Sequence, residues 1–269
     1  MYIRKIYAVF LFVILLFSAC AAPGGQEPTE TGPAYSPAPS ASAAASPSPS
    51  AAISPAPSAT PGIAPAMSME AEKLGSVDGF FYMELNDVIK KRITGLSYPE
   101  NDRKAKIRYG DLRYVCILYY DFKGNVKAGE LIVHRKLADE VMEIFCELYR
   151  CKYPFTSVRL VDDFDADDTR SMEANNTSAF NYRTVAGSKK LSLHSYGMAI
   201  DINPKLNPYV KKSVVSPKSS KKYADRSKDF AGKIDKDDLA YKLFKKHGWE
   251  WGGDWKTVKD YQHFEKDVR

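Results

Sequence analysis

What most limits the fold of this chain is a stretch that cannot build a core. Between Cys20 and Ala66 lie eleven of its 16 prolines, set among Ala and Ser, with Glu27 and Glu30 as the only charges. Such a segment has too little apolar surface to offset the entropy of ordering it, and it is predicted to be a disordered linker. Residues 67–269 are left to fold. A chain of about 200 residues buries roughly 70% of its unfolded surface, which suits one compact domain. Collagen, a coiled coil and a polytopic membrane protein are excluded.

Residues 1–19 read as an export address. Arg4 and Lys5 form a positive start, and Ile6 to Phe17 an apolar run. That run is shorter than the roughly 20 residues a spanning helix needs. Phe17-Ser-Ala-Cys20 resembles the lipobox of bacterial lipoproteins, with Phe17 where Leu is usual. The resemblance implies a lipid on Cys20; an ordinary signal peptide cut near Ala19 or Ala22 is the alternative, and both export the chain. A Pro/Ala/Ser chain leans toward extended polyproline II and could reach on the order of 100 Å. The expected location is therefore outside the cytoplasm, anchored to the cell membrane and reaching into the cell wall. A generic spacer is the plainer reading of the same tract.

Removing Arg4 and Lys5 lowers the formal charge from +6 to +4, too mild an excess to argue for nucleic acid. The excess is local, since Lys205 to Lys228 carries seven Lys and Arg226 against Asp225 alone. It reads as a solvated loop that could attract anionic wall polymers. Besides Cys20 the chain has Cys116, Cys146 and Cys151, so one at least lacks an intramolecular partner. Cys146 and Cys151 could pair only if a helix ended between them. A monomer is expected.

Leu112 to Asp121 and Val126 to Val133 flank the turn Lys123-Gly-Asn125 and predict a hairpin. Lys136 to Tyr149 has helical spacing of apolar residues, and Leu239 to His247 is a second helix stopped by Gly248. Ser157 to Val161, Ala179 to Arg183, Met198 to Ile202 and Gln262 to Glu265 are short strand candidates. Asp162 to Asn176 is expected to be a loop. Its Asp163-x-Asp165-x-Asp167 opening imitates a calcium loop, but Asp168 stands where Gly is required, so an EF-hand is not expected. A hairpin followed by helices and short strands predicts an α+β domain with a small, mainly antiparallel sheet flanked by helices.

The four histidines divide by company. His134 is expected to be exposed, and His247 to be structural at a helix end. His194 stands seven residues before Asp201, and His263 three after Asp260. Two His and one Asp can make a catalytic zinc site with its fourth position left for water, and a spare carboxylate such as Asp260 would take and return the proton. Spacing alone leaves open whether these are ligands or ordinary structural histidines, because seven residues share a helix face but not a strand face. Ser219-Ser-Lys-Lys222 fits the S-x-x-K of serine penicillin-binding enzymes but has no companion motif, so it reads as chance.

The run Ser192-x-His194-x-x-Gly197-x-Ala199-x-Asp201, then Trp251-Gly-Gly-Asp-Trp255 and Asp260-x-x-His263-Phe-Glu265, resembles the VanY-like D-alanyl-D-alanine carboxypeptidase and L-alanyl-D-glutamate peptidase family. Asn176 to Arg183 looks like that family's arginine segment, and the likeness spans roughly residues 112–265. The resemblance implies His194, Asp201 and His263 as zinc ligands, Asp260 as general base, and Arg183 as the cation that polarises or holds substrate. Ser192 is expected to order the loop, Gly197 to let His194 and Asp201 converge, and Trp251 and Trp255 to wall the cleft or pack in the core. The implied activity is hydrolysis of peptidoglycan stem peptides. Asp260, where Glu marks the carboxypeptidases, favours an L-alanyl-D-glutamate endopeptidase over a D-alanyl-D-alanine carboxypeptidase. A zinc-holding wall-peptide binding module without catalysis is the reading from another class; the presence of Asp260 and Arg183 speaks against it.

Overall fold

The computed structural model of the protein describes residues 73–77 and 79–269. The leader, Cys20 and the Pro-rich linker lie outside the described residues. A four-stranded antiparallel sheet, in the order β1 (Lys73–Val77), β2 (Phe80–Glu84), β3 (Leu112–Tyr120), β4 (Val126–His134), forms one layer. The predicted hairpin is its β3–β4 half, in register from Leu112↔His134 to Tyr120↔Val126. Alternate residues of β3 go to opposite faces, as a period of two requires. Val115, Ile117 and Tyr119 join one apolar cluster, and Leu112, Tyr114 and Cys116 another. Both faces therefore need covering.

Helix α1 (Asp87–Ile93) covers one face with Ile89 and Ile93; Asn86 caps it, accepting from the Ile89 N–H at 3.0 Å. Helix α2 (Ala138–Arg150) covers the other with Val141, Ile144, Phe145 and Leu148, all buried. Each such side chain contributes roughly 1.5–3 kcal/mol by leaving water. The helix ends at Arg150, with Cys151 exposed beyond it and Cys146 buried, and these two are not joined in a disulfide.

Two parts of the chain differ from expectation. His134 is buried, because its ring accepts from the Lys136 N–H at 3.3 Å and caps the turn Arg135–Leu137. The acidic segment is not a plain loop: it holds a 3-10 turn, Val161–Phe164, and helix α3 (Asp168–Glu173), capped by Asp167. Its carboxylates have protein donors. Asp162 accepts from Ser97, Asp163 from Arg92 and Arg159, Asp165 pairs with Arg170, and Asp168 accepts from Asn181. Residues predicted as the strand 179–183 form none; isolated bridges flank them, Ser178↔Asp201 before and Thr184↔Leu191 after.

Arg92 ties this segment to the sheet. It donates to both oxygens of the fully buried Glu130, at 2.8 and 2.6 Å, and to Asp163 at 2.6 Å. Tyr114 also donates to Glu130. Arg92→Met should destabilise the protein by about 3–5 kcal/mol, because it strands a buried carboxylate. Chemical denaturation checks this; a loss below about 1 kcal/mol would show that Glu130 finds another partner.

The remaining strands are short. A second antiparallel sheet runs β10 (Glu250–Trp251), β12 (His263–Glu265), β7 (Ala199–Asp201), and a third β11 (Lys259–Asp260), β8 (Tyr209–Lys211), β9 (Val214–Ser216). Strands β5 (Ser157–Val158) and β6 (Asn176–Thr177) form a parallel pair. Helix α4 (Leu239–Lys246), ending at His247, packs Phe244 on Phe264 at a ring separation of 4.4 Å. The result is the expected α+β fold with mainly antiparallel sheets.

Candidate metal centre

The second sheet sets the site. In the β12–β7 register Phe264 faces Ile200 and His263 faces Asp201. The first pair is fully buried in the core cluster with Phe244 and Trp249. The next pair along the strands must point the other way, and it lines a cleft of about 480 Å³. One apolar pair thus anchors the strands, and its neighbour presents two candidate ligands side by side.

His194 arrives by another route. Ser192 caps the 3-10 turn Leu193–Tyr196 by accepting from the His194 N–H at 3.3 Å. Gly197 ends that turn at φ +66°, and its carbonyl accepts from the His134 N–H at 2.8 Å. The seven-residue gap to Asp201 is therefore neither helix nor strand but turn, left-handed glycine, then strand. A Cβ on Gly197 would stand 2.6 Å from the His134 nitrogen and 2.8 Å from the Val133 carbonyl carbon. Backbone cannot swing aside as a side chain can. Gly197→Ala should cost roughly 1–3 kcal/mol or more and misplace His194; unchanged thermal stability with full metal binding would remove this role.

The three side chains converge. His194 Nε2 lies 3.2 Å from His263 Nδ1 and 3.3 Å from Asp201 Oδ2, and His263 Nδ1 lies 3.0 Å from Asp201 Oδ1. Tetrahedral bonds of about 2.0 Å imply ligand separations of about 3.3 Å, so the spacing fits one small cation. The outer nitrogens are also committed. His194 Nδ1 meets the Ala179 carbonyl, and His263 Nε2 lies 2.9 Å from Glu265 Oε2. Each acceptor fixes its imidazole so that the inner nitrogen offers a lone pair. Two lone pairs and a carboxylate facing one point repel unless a positive charge sits between them. Among the described residues this is the one group of three His, Cys, Asp or Glu able to hold a metal.

Titration follows the same logic. Burial opposes charge on Asp201, but His194 and His263 outweigh it and hold the carboxyl well below its usual range. Burial would lower His263, yet hydrogen bonds to Asp201 and Glu265 raise it to about 10. The cluster holds a proton where a cation would sit, and a metal must displace it. Asp260 is raised to about 6, first by burial, with the charge of Asp201 adding and His263 opposing.

Asp260 reaches the cleft from β11, paired with Tyr209 of β8. The Trp251-Gly-Gly turn folds tightly over it. A Cβ on Gly252 would lie 2.6 Å from the Asp260 carbonyl oxygen and 2.7 Å from its Cβ. Arg183 also lines the cleft but is not free: its Nε pairs with Asp168 Oδ2, while Asp168 Oδ1 accepts from Asn181 at 2.7 Å. Ser192 lines the cleft from its capping position. The two tryptophans part company. Trp255 walls the cleft with its ring 5.4 Å from that of His263. Trp251 is in the core, donating to the Tyr261 carbonyl at 2.9 Å and packed on Tyr241 and Phe264. The Ser219–Lys222 tetrad lies in the 3-10 helix Lys218–Tyr223, where Ser219 bonds Glu173.

Three residues of the site had no assigned role from sequence: Asp168, Glu265 and Gln262. Glu265 is two residues from a ligand on the same strand, a spacing that puts it on the ligand's face; that signal was there to be used. Asp168 carries no such signal, because the rest of α3 and strand β6 lie between it and Arg183, and only their packing brings the two together.

Comparison with curated proteins and with solved structures found no match. A family model does match, over a shorter stretch than the motifs suggested and beginning three residues after Arg183. Residues 186–266, which carry His194, Asp201, Asp260 and His263, match the family model described as D-alanyl-D-alanine carboxypeptidase.

Proposed function

We propose that the protein is a zinc-dependent hydrolase of peptidoglycan stem peptides, exported and lipid-anchored through Cys20. The observation that carries the reading is the convergence of His194, Asp201 and His263 beside Asp260 in one cleft. A zinc ion held by those three residues would bring a bound water's pKa toward neutrality and supply the nucleophile. Asp260 would take a proton from the attacking water as the water oxygen bonds to the scissile carbonyl carbon. It then returns the proton to the leaving nitrogen as the C–N bond breaks. Glu265 and the Ala179 carbonyl keep the two imidazoles aimed. Arg183, steadied by Asp168, stands at the cleft wall to orient the substrate carbonyl.

Two bonds compete. A carboxypeptidase needs a cation for the terminal carboxylate of its substrate, and Arg183, held through its Nε by Asp168, can serve either enzyme. Asp rather than Glu at position 260 favours an L-alanyl-D-glutamate-type endopeptidase. The description of the matching family model favours the D-alanyl-D-alanine carboxypeptidase. Mass spectrometry of a defined muropeptide ending in D-Ala-D-Ala decides between them. Release of the stem from L-Ala onward is the expected result. Free D-alanine as the sole product would establish the carboxypeptidase, and an untouched peptide would count against both.

A further inference from the structure

Gln262 precedes the ligand His263 and is 4% exposed, yet it lines the cleft. Its backbone is occupied, with the carbonyl accepting from the Ile202 N–H at 3.0 Å. Its side-chain nitrogen lies 3.6 Å from Met172 Sδ, a weak acceptor. Its Oε1 is buried and has no protein partner. Asp260 Oδ1, two residues away, is buried and unpartnered as well.

Buried acceptors without donors are uncommon in folded proteins and call for a partner. Two of them on one wall make that wall complementary to N–H groups. A peptide chain supplies an N–H at each residue; an ester-linked or N-alkylated chain does not. We propose that Gln262 is a specificity-determining residue, whose Oε1 accepts the backbone N–H of a substrate residue adjoining the bond hydrolysed beside Asp260. The site would thereby select secondary-amide chains over N-alkylated ones of the same sequence. This rests on the peptidase reading above.

The test compares zinc-loaded wild-type protein with Gln262→Met, which keeps the shape and removes the oxygen, and Gln262→Glu, which keeps an oxygen there. Substrates are the stem peptide and versions N-methylated at each amide flanking the cleaved bond in turn. The wild type should lose roughly 10- to 100-fold in kcat/KM on one methylated peptide, the range for leaving a buried hydrogen-bonding group unpaired. Gln262→Met should lose about as much on the parent peptide, show no further loss on that methylated one, and keep its zinc. Gln262→Glu should retain the discrimination. If Gln262→Met discriminates as strongly as wild type, the assignment is overturned. Should that variant not fold, loss of discrimination in Gln262→Glu overturns it instead. If the wild type cleaves no peptide, the peptidase reading fails by itself. Calorimetric affinities of the same peptides for wild type and variant then decide Gln262: equal affinities reject it, and a selective loss on the methylated peptide in wild type alone supports it.

Discussion

Asp260→Asn is expected to slow turnover by roughly 10²- to 10⁴-fold with the metal still bound, the usual span for removing a general base. The amide keeps the shape of the carboxyl and cannot take a proton. The surroundings make this a demanding position: the Gly252 backbone presses on Asp260, and Oδ1 is buried without a donor. A base must be ionised to work. Since burial raises Asp260 to about 6, wild-type kcat/KM should fall as pH drops through about 6, or lower once a bound cation favours the anion. Stopped assays with parallel metal analysis separate the outcomes. Loss of metal along with activity would make Asp260 a ligand, and a rate near that of the wild type would remove it from the mechanism.

His263→Ala should abolish stoichiometric metal binding. Elemental analysis of wild-type protein should find about one zinc per chain, and the variant close to none. Outer partners of metal ligands are worth 10- to 100-fold in affinity, so loss of a ligand should exceed about 100-fold. The variant also leaves Glu265 and Asp201 without the ring they both contact. A variant with full metal content and full activity would mean that the centre is elsewhere.

Much of this was legible in the sequence, for reasons that differ by element. The β3–β4 hairpin and α2 are long enough for their periods to repeat, so their faces could be read from the residues. Strands β8 and β9 are three residues each, Tyr209-Val-Lys211 and Val214-Val-Ser216, and a period of two cannot declare itself in so few positions. Helix α3 hid inside Asp-Thr-Arg-Ser-Met-Glu, a weak helix former that depends on Asp167 as its cap. The basic neighbours of His134 suggest solvent, yet it is buried because its ring completes a turn. At the site, the three converging residues were recoverable from motif order. The pairing of Arg183 with Asp168 was not, since it depends on how α3 packs against residues 179–183. Trp251 and Trp255 looked alike in sequence, and only the turn between them sends one to the core and the other to the cleft.

The alternation in β12 works like a reading frame. Along three residues, one position addresses the reaction, the next the core, and the third the reaction again. A single residue inserted or deleted in the turn before this strand, if it slips the pairing, would move Phe264 into the cleft and His263 into the core. Chemistry and stability would then fail together. Substitutions can therefore be explored one position at a time here, but length cannot.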